Sequence, residues 1–189
     1  MMRKSIFVPL LLCLGAALSF GQVTLGEKVP NFTATDQNGT KWALNRNLRS
    51  ADYLVIYFYP AAFTGGCTRQ ACSYRDQKRE LEQVNASVVG VSGDKPETLE
   101  LFALQNQLNF TLLSDEKGEI ATMFGVPQNP GGSIQHEMNG KKLNLERGTT
   151  IQRWTFILDN KGTLIYKDSE VNAAEDSGRV VEFLSSLET

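Results

Sequence analysis

Apolar residues run unbroken from Tyr53 to Tyr59, bounded by Asp52 and Pro60. This is the pattern of a central strand covered on both faces. Ahead of it, Asn31 to Thr35 and Trp42 to Leu44 read as short strands around an Asn38-Gly39 turn, a hairpin signal. From Cys67 to about Gln83 the spacing predicts a helix with a thin apolar stripe of Ala71, Tyr74, Leu81 and Val84. Ser87 to Ser92 is a second buried strand. Lys95-Pro96 opens a helix to about Gln107 with Leu99, Phe102 and Ala103 inward. Leu112-Leu113 is a brief strand, and Glu119 to Phe124 a short helix. Arg153 to Leu158 and Thr163 to Lys167 are strands joined by Asp159-Asn160-Lys161-Gly162, and Ala173 to Leu187 is a closing helix with Val180, Val181, Phe183 and Leu184 inward. Strands alternating with helices indicate a mixed sheet with helices on both faces. Residues 125–149, rich in Gly, Asn and Pro, form a longer connection, expected either as a surface loop near Arg153 or as a segment that shapes substrate or partner access.

The first residues read differently. Met1, Met2, Arg3 and Lys4 give a positive start, Ser5 to Phe20 is almost wholly apolar, and Ser19 and Gly21 are small residues ahead of Gln22. The pattern predicts a secretory signal peptide over residues 1–21, cleaved to leave a single domain over 22–189, and therefore export to the periplasm or the outside. The run is short and interrupted by Pro9, so a membrane span of ~20 residues is a poor fit. A transit peptide would be rich in Ser and Arg rather than Leu. Cys13 lies inside the apolar run, without the small-residue context of a lipidated cysteine.

Charge narrows the partners. Nineteen Lys and Arg face 21 Asp and Glu. Losing Arg3 and Lys4 with the leader leaves the remainder more acidic. No polybasic surface is visible, so neither nucleic acid nor an anionic membrane is an expected partner.

Only Cys67 and Cys72 lie beyond the leader. Cys67 follows the buried strand, Pro60 and a Gly65-Gly66 turn, at the point where a helix should begin. Unpaired N–H groups at a helix start favour thiolate over thiol, which makes the sulfur a nucleophile. A fixed structural disulfide is the plainer alternative in an exported chain. One bridge closing so short a loop would constrain the unfolded chain little. His136 is the lone histidine, predicted to be solvated in the long connection, and two cysteines with one histidine do not make a convincing zinc site.

Two motifs stand out: Pro60-x-x-x-Thr64-x-x-Cys67, and Arg153 entering Arg153-Trp154-Thr155-Phe156-Ile157-Leu158-Asp159. On these the chain resembles the peroxiredoxins. A second cysteine five residues after the first narrows the resemblance to the peroxiredoxin Q, or bacterioferritin-comigratory, type. It covers roughly Val23 to Leu187. The order of elements also suits the thioredoxin-like α/β fold of that family. The resemblance implies that Cys67 is the peroxidatic thiolate and Cys72 the resolving thiol. It assigns Arg153 to the sulfur and the peroxide oxygens. Thr64 would accept from the peroxide O–H and donate to an oxygen, and Pro60 would shield the thiolate from water. It further implies a hydroperoxide substrate, a sulfenic acid closing to a disulfide, a thioredoxin-like protein reductant, no metal, haem or flavin, and a monomer rather than a dimer.

Helix positions five apart lie roughly 8–9 Å apart at Cα, whereas a disulfide tolerates ~4.4–6.8 Å, so that bridge would require the helix start to unwind. Two departures from the family pattern stand out. Gln70 occupies the place of a usual Glu, which puts that carboxylate's role in doubt, and Gly65 replaces a common Pro. Two other readings stay open. One is an exported thiol–disulfide oxidoreductase, which would normally carry Cys-x-x-Cys. The other is a non-catalytic thioredoxin-like binding module with a fixed bridge.

Overall fold

In the computed structural model, which describes residues 22–187, the apolar run becomes strand β3 (Tyr53–Phe58) near the middle of a seven-stranded sheet. The chain first forms a hairpin, β1 (Thr33–Asp36) with β2 (Lys41–Ala43), and a single helical turn, α1 (Leu44–Asn47). Beyond β3 come helices α2 (Gly65–Asp76) and α3 (Lys78–Gln83), then β4 (Ala86–Ser92), α4 (Pro96–Gln105), β5 (Thr111–Ser114) and α5 (Glu119–Met123). Two long strands follow, β6 (Gln128–Met138) and β7 (Lys141–Ile151), then β8 (Thr155–Asp159), β9 (Leu164–Asp168) and α6 (Asp176–Ser186).

The sheet runs in the order β2-β1-β5-β4-β3-β8-β9. Its centre is parallel, β5 with β4 and β4 with β3, and its flanks are antiparallel. The expected α/β, thioredoxin-like architecture with a central mixed sheet and flanking helices is the one observed.

Alternation along β3 explains why every one of its later residues is apolar. Leu54, Ile56 and Phe58 enter one core with Phe156, Leu158, Ile120 and Phe124, while Val55 and Tyr57 enter a second core with Ala71, Tyr74, Leu99, Phe102, Val180 and Leu184. Successive side chains leave a strand on opposite faces, so a strand between two cores has no face left for polar residues. The second core brings α2, α3, α4 and α6 onto one side of the sheet.

Three expectations change in detail. The helix predicted from Cys67 begins earlier. Thr64, extended at φ −82° and ψ 146°, is its N-cap, and Gly65 and Gly66 are its first two residues rather than a turn before it. Thr68 N–H bonds to the Thr64 carbonyl at 2.9 Å, closing that first turn and making Cys67 the third helical residue. The same helix is interrupted at Gln77 (φ −92°, ψ 19°), which divides α2 from α3.

The largest change concerns residues 125–149. They are no loop but most of a second, two-stranded sheet, β6 paired with β7 from Gln128–Ile151 to Met138–Lys141. Asn139 and Gly140, at φ +52° and +74°, make the tight turn. Positive φ at both central residues matches the twist of the flanking strands, and Asn-Gly is the pair that tolerates it. The pair is itself a hairpin signal, set in a segment with several other Gly, Asn and Pro residues.

The predicted leader, residues 1–21, lies outside the described residues. Among the described residues no helix is long and apolar enough to cross a membrane.

Candidate active site

Four segments distant in sequence converge on Cys67. The sulfur sits in the first turn of α2, 1 % exposed, packed in the second core with Tyr57, Tyr59 and Ala62. Arg153 lies between β7 and β8, and its Nη2 donates to Cys67 Sγ at 3.3 Å. A permanently charged, planar donor at that distance can also donate to an oxygen brought beside the sulfur. Gly66 borders this contact closely: a Cβ there would lie 3.3 Å from Arg153 Nη2.

Arg153 Nη1 donates to Gln70 Oε1. Gln70, three residues after Cys67, is fully buried on the same face of α2. Its Nε2 donates to Asp176 Oδ2 at 2.6 Å, and Asp176, the first residue of α6, is 1 % exposed. The same oxygen accepts the Tyr74 hydroxyl at 2.8 Å and the Thr155 hydroxyl at 2.9 Å. Burial pushes the Asp176 carboxyl above the usual range, opposed by these three hydrogen bonds. Burial also holds the Tyr57 phenol well up, with the Cys67 and Asp176 charges adding to it, so this phenol stays protonated.

Thr64 spends its one hydroxyl proton on the Ala61 carbonyl, at 2.9 Å. It can therefore meet a ligand only as an acceptor; the expected donation to an incoming oxygen is already used. Pro60 is half-buried in the link from β3 to α2.

Cys72 is half-buried on α2 and faces away from this cluster, its sulfur 4.0 Å from Asn106 Oδ1. Both cysteines are free thiols. They occupy one continuous helix five positions apart, a separation no disulfide spans without backbone movement.

Several residues at this site carried no local signal. Asp94 Oδ2 accepts the Ala62 N–H and the Ser92 hydroxyl, both at 2.8 Å, and so ties the link before α2 to the end of β4. Phe63 holds φ +63°, an uncommon conformation for a bulky side chain, immediately before Thr64. His136 is not a solvated loop residue: it lies on β6, stacks on Phe63 with ring centres 4.0 Å apart, and bonds Gln105 at 3.0 Å. For Gln70 there was a clue, a polar residue on the apolar stripe of α2. Asp176 had none, because its partner lies 106 positions away.

A buried thiol held by arginine at the first turn of a helix, on this α/β sheet, defines a class of thiol enzymes. Comparison with known proteins gives the family. The AhpC/TSA family matches residues 25–167, and the chain belongs to it. It is similar to a chloroplastic peroxiredoxin Q of Populus jackii, 38 % identical over 151 residues, covering 79 % of this chain and 62 % of the poplar protein. It is also similar to a putative peroxiredoxin of Mycobacterium tuberculosis, 36 % identical over 156 residues, covering 80 % and 88 % of the two chains. Among solved structures, peroxidoxin BcpB of Mycobacterium tuberculosis aligns with a TM-score of 0.73 and 31 % identity, over 89 % of this chain and all of that one. The expected peroxiredoxin, a peroxidase of the oxidoreductase class and of the Q or bacterioferritin-comigratory type, stands.

The expected export does not stand. The plant relatives are chloroplastic proteins, and the others are bacterial peroxiredoxins of the same type. A short apolar run after two basic residues records hydrophobicity, which does not by itself set a destination.

Proposed function

We propose that this peroxiredoxin reduces hydroperoxides through Cys67. The observation that carries the reading is Arg153 Nη2 at 3.3 Å from a sulfur in the first turn of a helix whose later turn holds Cys72. The Cys67 thiolate attacks one peroxide oxygen and the O–O bond breaks. The leaving oxygen departs with the electron pair and takes up a proton, giving water or an alcohol, and Cys67 becomes a sulfenic acid. Arg153 and the N–H groups of the first turn face the charge that develops, the logic of an oxyanion hole. Thr64 accepts from the peroxide O–H.

Cys72 then attacks the sulfenic sulfur, releasing water and forming a disulfide. For the two sulfurs to meet, the start of α2 must unwind. Gly65 and Gly66 ease that step, since each glycine costs a helix about 1 kcal/mol relative to alanine. A thioredoxin-like dithiol reduces the bridge and is itself oxidised. The bacterioferritin comigratory protein of Xanthomonas campestris, 25 % identical with a TM-score of 0.67, is described by its alkyl peroxide reduction activity, which supports organic hydroperoxides as well as hydrogen peroxide. The rival of a fixed structural bridge is disfavoured by two free thiols on an unbroken helix.

Mass spectrometry after one equivalent of hydrogen peroxide tests the reading. The native protein should pass from two thiols to one Cys67–Cys72 bridge, Cys72→Ser should stop at sulfenic acid on Cys67, and Cys67→Ser should consume no peroxide. Undiminished consumption by Cys67→Ser would remove the assignment.

A further inference from the structure

Arg153 touches Cys67 through one nitrogen of its fork, and the other is held by Gln70. A primary amide has an accepting end and a donating end of nearly the same shape, so shape alone does not decide which end faces arginine. Turned the wrong way, Gln70 would set its NH2 against a guanidinium that can only donate. The group on the far side settles the orientation. Asp176 Oδ2 already accepts two hydroxyls, from Tyr74 and Thr155, and takes Gln70 Nε2 at 2.6 Å as a third. Gln70 and Asp176 are 0 % and 1 % exposed, so solvent offers no substitute partner. Between a donor-only group and an acceptor, a glutamine fits in one orientation. A carboxylate at position 70 would face a second carboxylate, and an apolar residue would remove one hydrogen bond from Arg153 Nη1 and one from Asp176 Oδ2.

We infer that Asp176 is a positioning residue for peroxide reduction: it accepts the Gln70 amide, which turns the Gln70 carbonyl to Arg153 and fixes the guanidinium on the Cys67 sulfur. Asp176 touches neither sulfur nor substrate and acts through two hydrogen bonds. The carboxylate missing at position 70 is thus supplied one step behind, from α6. This rests on the peroxidase reading above and adds to it a residue 109 positions from the reacting cysteine.

The test measures the second-order rate of Cys67 oxidation by hydrogen peroxide in the full chain, with near-ultraviolet circular dichroism to establish folding. Gln70→Met and Asp176→Leu should each slow the reaction on the order of tenfold, as expected for one buried hydrogen bond to a charged group. Asp176→Asn, which keeps an acceptor oxygen, should recover part of what Asp176→Leu loses. In an Arg153→Ala background neither Gln70→Met nor Asp176→Leu should slow the reaction further, because the chain acts only through that guanidinium. If Asp176→Leu does not fold, Gln70→Met, which leaves Asp176 in place, carries the test. A folded Gln70→Met at the native rate, losses that multiply with Arg153→Ala, or an Asp176→Asn as slow as Asp176→Leu would each overturn the inference. Native protein that left peroxide untouched would instead overturn the reading beneath it. An active native protein with unaffected variants overturns the inference alone.

Discussion

Gly66 places two demands on one backbone position. It begins a helix, where glycine is the poorer choice, and it passes so close to Arg153 that an added Cβ would sit 3.3 Å from Nη2. That guanidinium has little room to give, since Cys67 and Gln70 hold both of its terminal nitrogens. Gly66→Ala should therefore separate stability from activity. The helix should gain about 0.5–1 kcal/mol from reduced freedom in the unfolded chain, while peroxide oxidation of Cys67 should slow several-fold as Arg153 is displaced. Thermal melting and stopped-flow rates on one sample check both. A variant at once more stable and equally fast would show that the guanidinium tolerates the methyl group. Gln70 makes a related point at this scale: a residue that looks like the loss of a carboxylate in sequence is, in three dimensions, a link to a different one.

The β6–β7 hairpin is the element that most extends the site. It is fastened at its base, where Gly148 N–H bonds the Gly93 carbonyl at 2.9 Å and Lys95 pairs with Glu146 at 2.8 Å. Farther along, His136 stacks on Phe63 beside the start of α2. The register depends on the Asn139-Gly140 turn, whose left-handed residues a β-branched side chain resists. Asn139→Val should cost the hairpin about 1–2 kcal/mol. Amide exchange of β6 and β7 should quicken while β3 and β4, held in the central sheet, stay slow. Unchanged exchange in β6 and β7 would mean that the base contacts, not the turn, hold the register. In α2 the proposed mechanism sets conflicting demands on the element: its folded first turn presents Cys67 to Arg153, and on the disulfide reading proposed above the same turn would have to open for Cys72 to reach it.

Across the whole molecule, three buried carboxyls share one electrostatic consequence. Asp94, Asp115 and Asp176 are each raised, first of all by burial. Each therefore holds its proton more tightly folded than unfolded. Their contribution is full below the ordinary aspartate value of about 3.9 and is lost as pH rises through the folded-state values. Asp115 lies away from Cys67, where its two oxygens accept the Ile120 and Ala121 N–H groups at 3.1 and 2.8 Å. Asp115→Asn keeps an acceptor but cannot titrate. Urea unfolding at about pH 4.5 and pH 8 should show the native protein losing more stability over that interval than the variant does. Equal losses would exclude Asp115 from the pH dependence.

Read alone, the sequence determined much of what depends on short-range pattern, though not the Asn139-Gly140 hairpin or the break in the helix at Gln77. The two-sided burial of β3, the hairpin at Asn38-Gly39, the helix after Cys67 and the motif from Pro60 to Cys67 all rest on neighbours within a few residues, where alternation, helical spacing and turn chemistry act. It also marked Arg153, though not what holds it. The tertiary structure decided what depends on contacts between distant segments: that Arg153 meets Cys67 across 86 positions, that Gln70 is backed by Asp176 across 106, and that residues 125–149 pair into a hairpin reaching Phe63. Hydrogen bonds of such separation leave no periodicity in a chain, because either partner can sit anywhere its element permits. Only the packing of α6 against α2 and β8 made a carboxylate at position 176 part of the site.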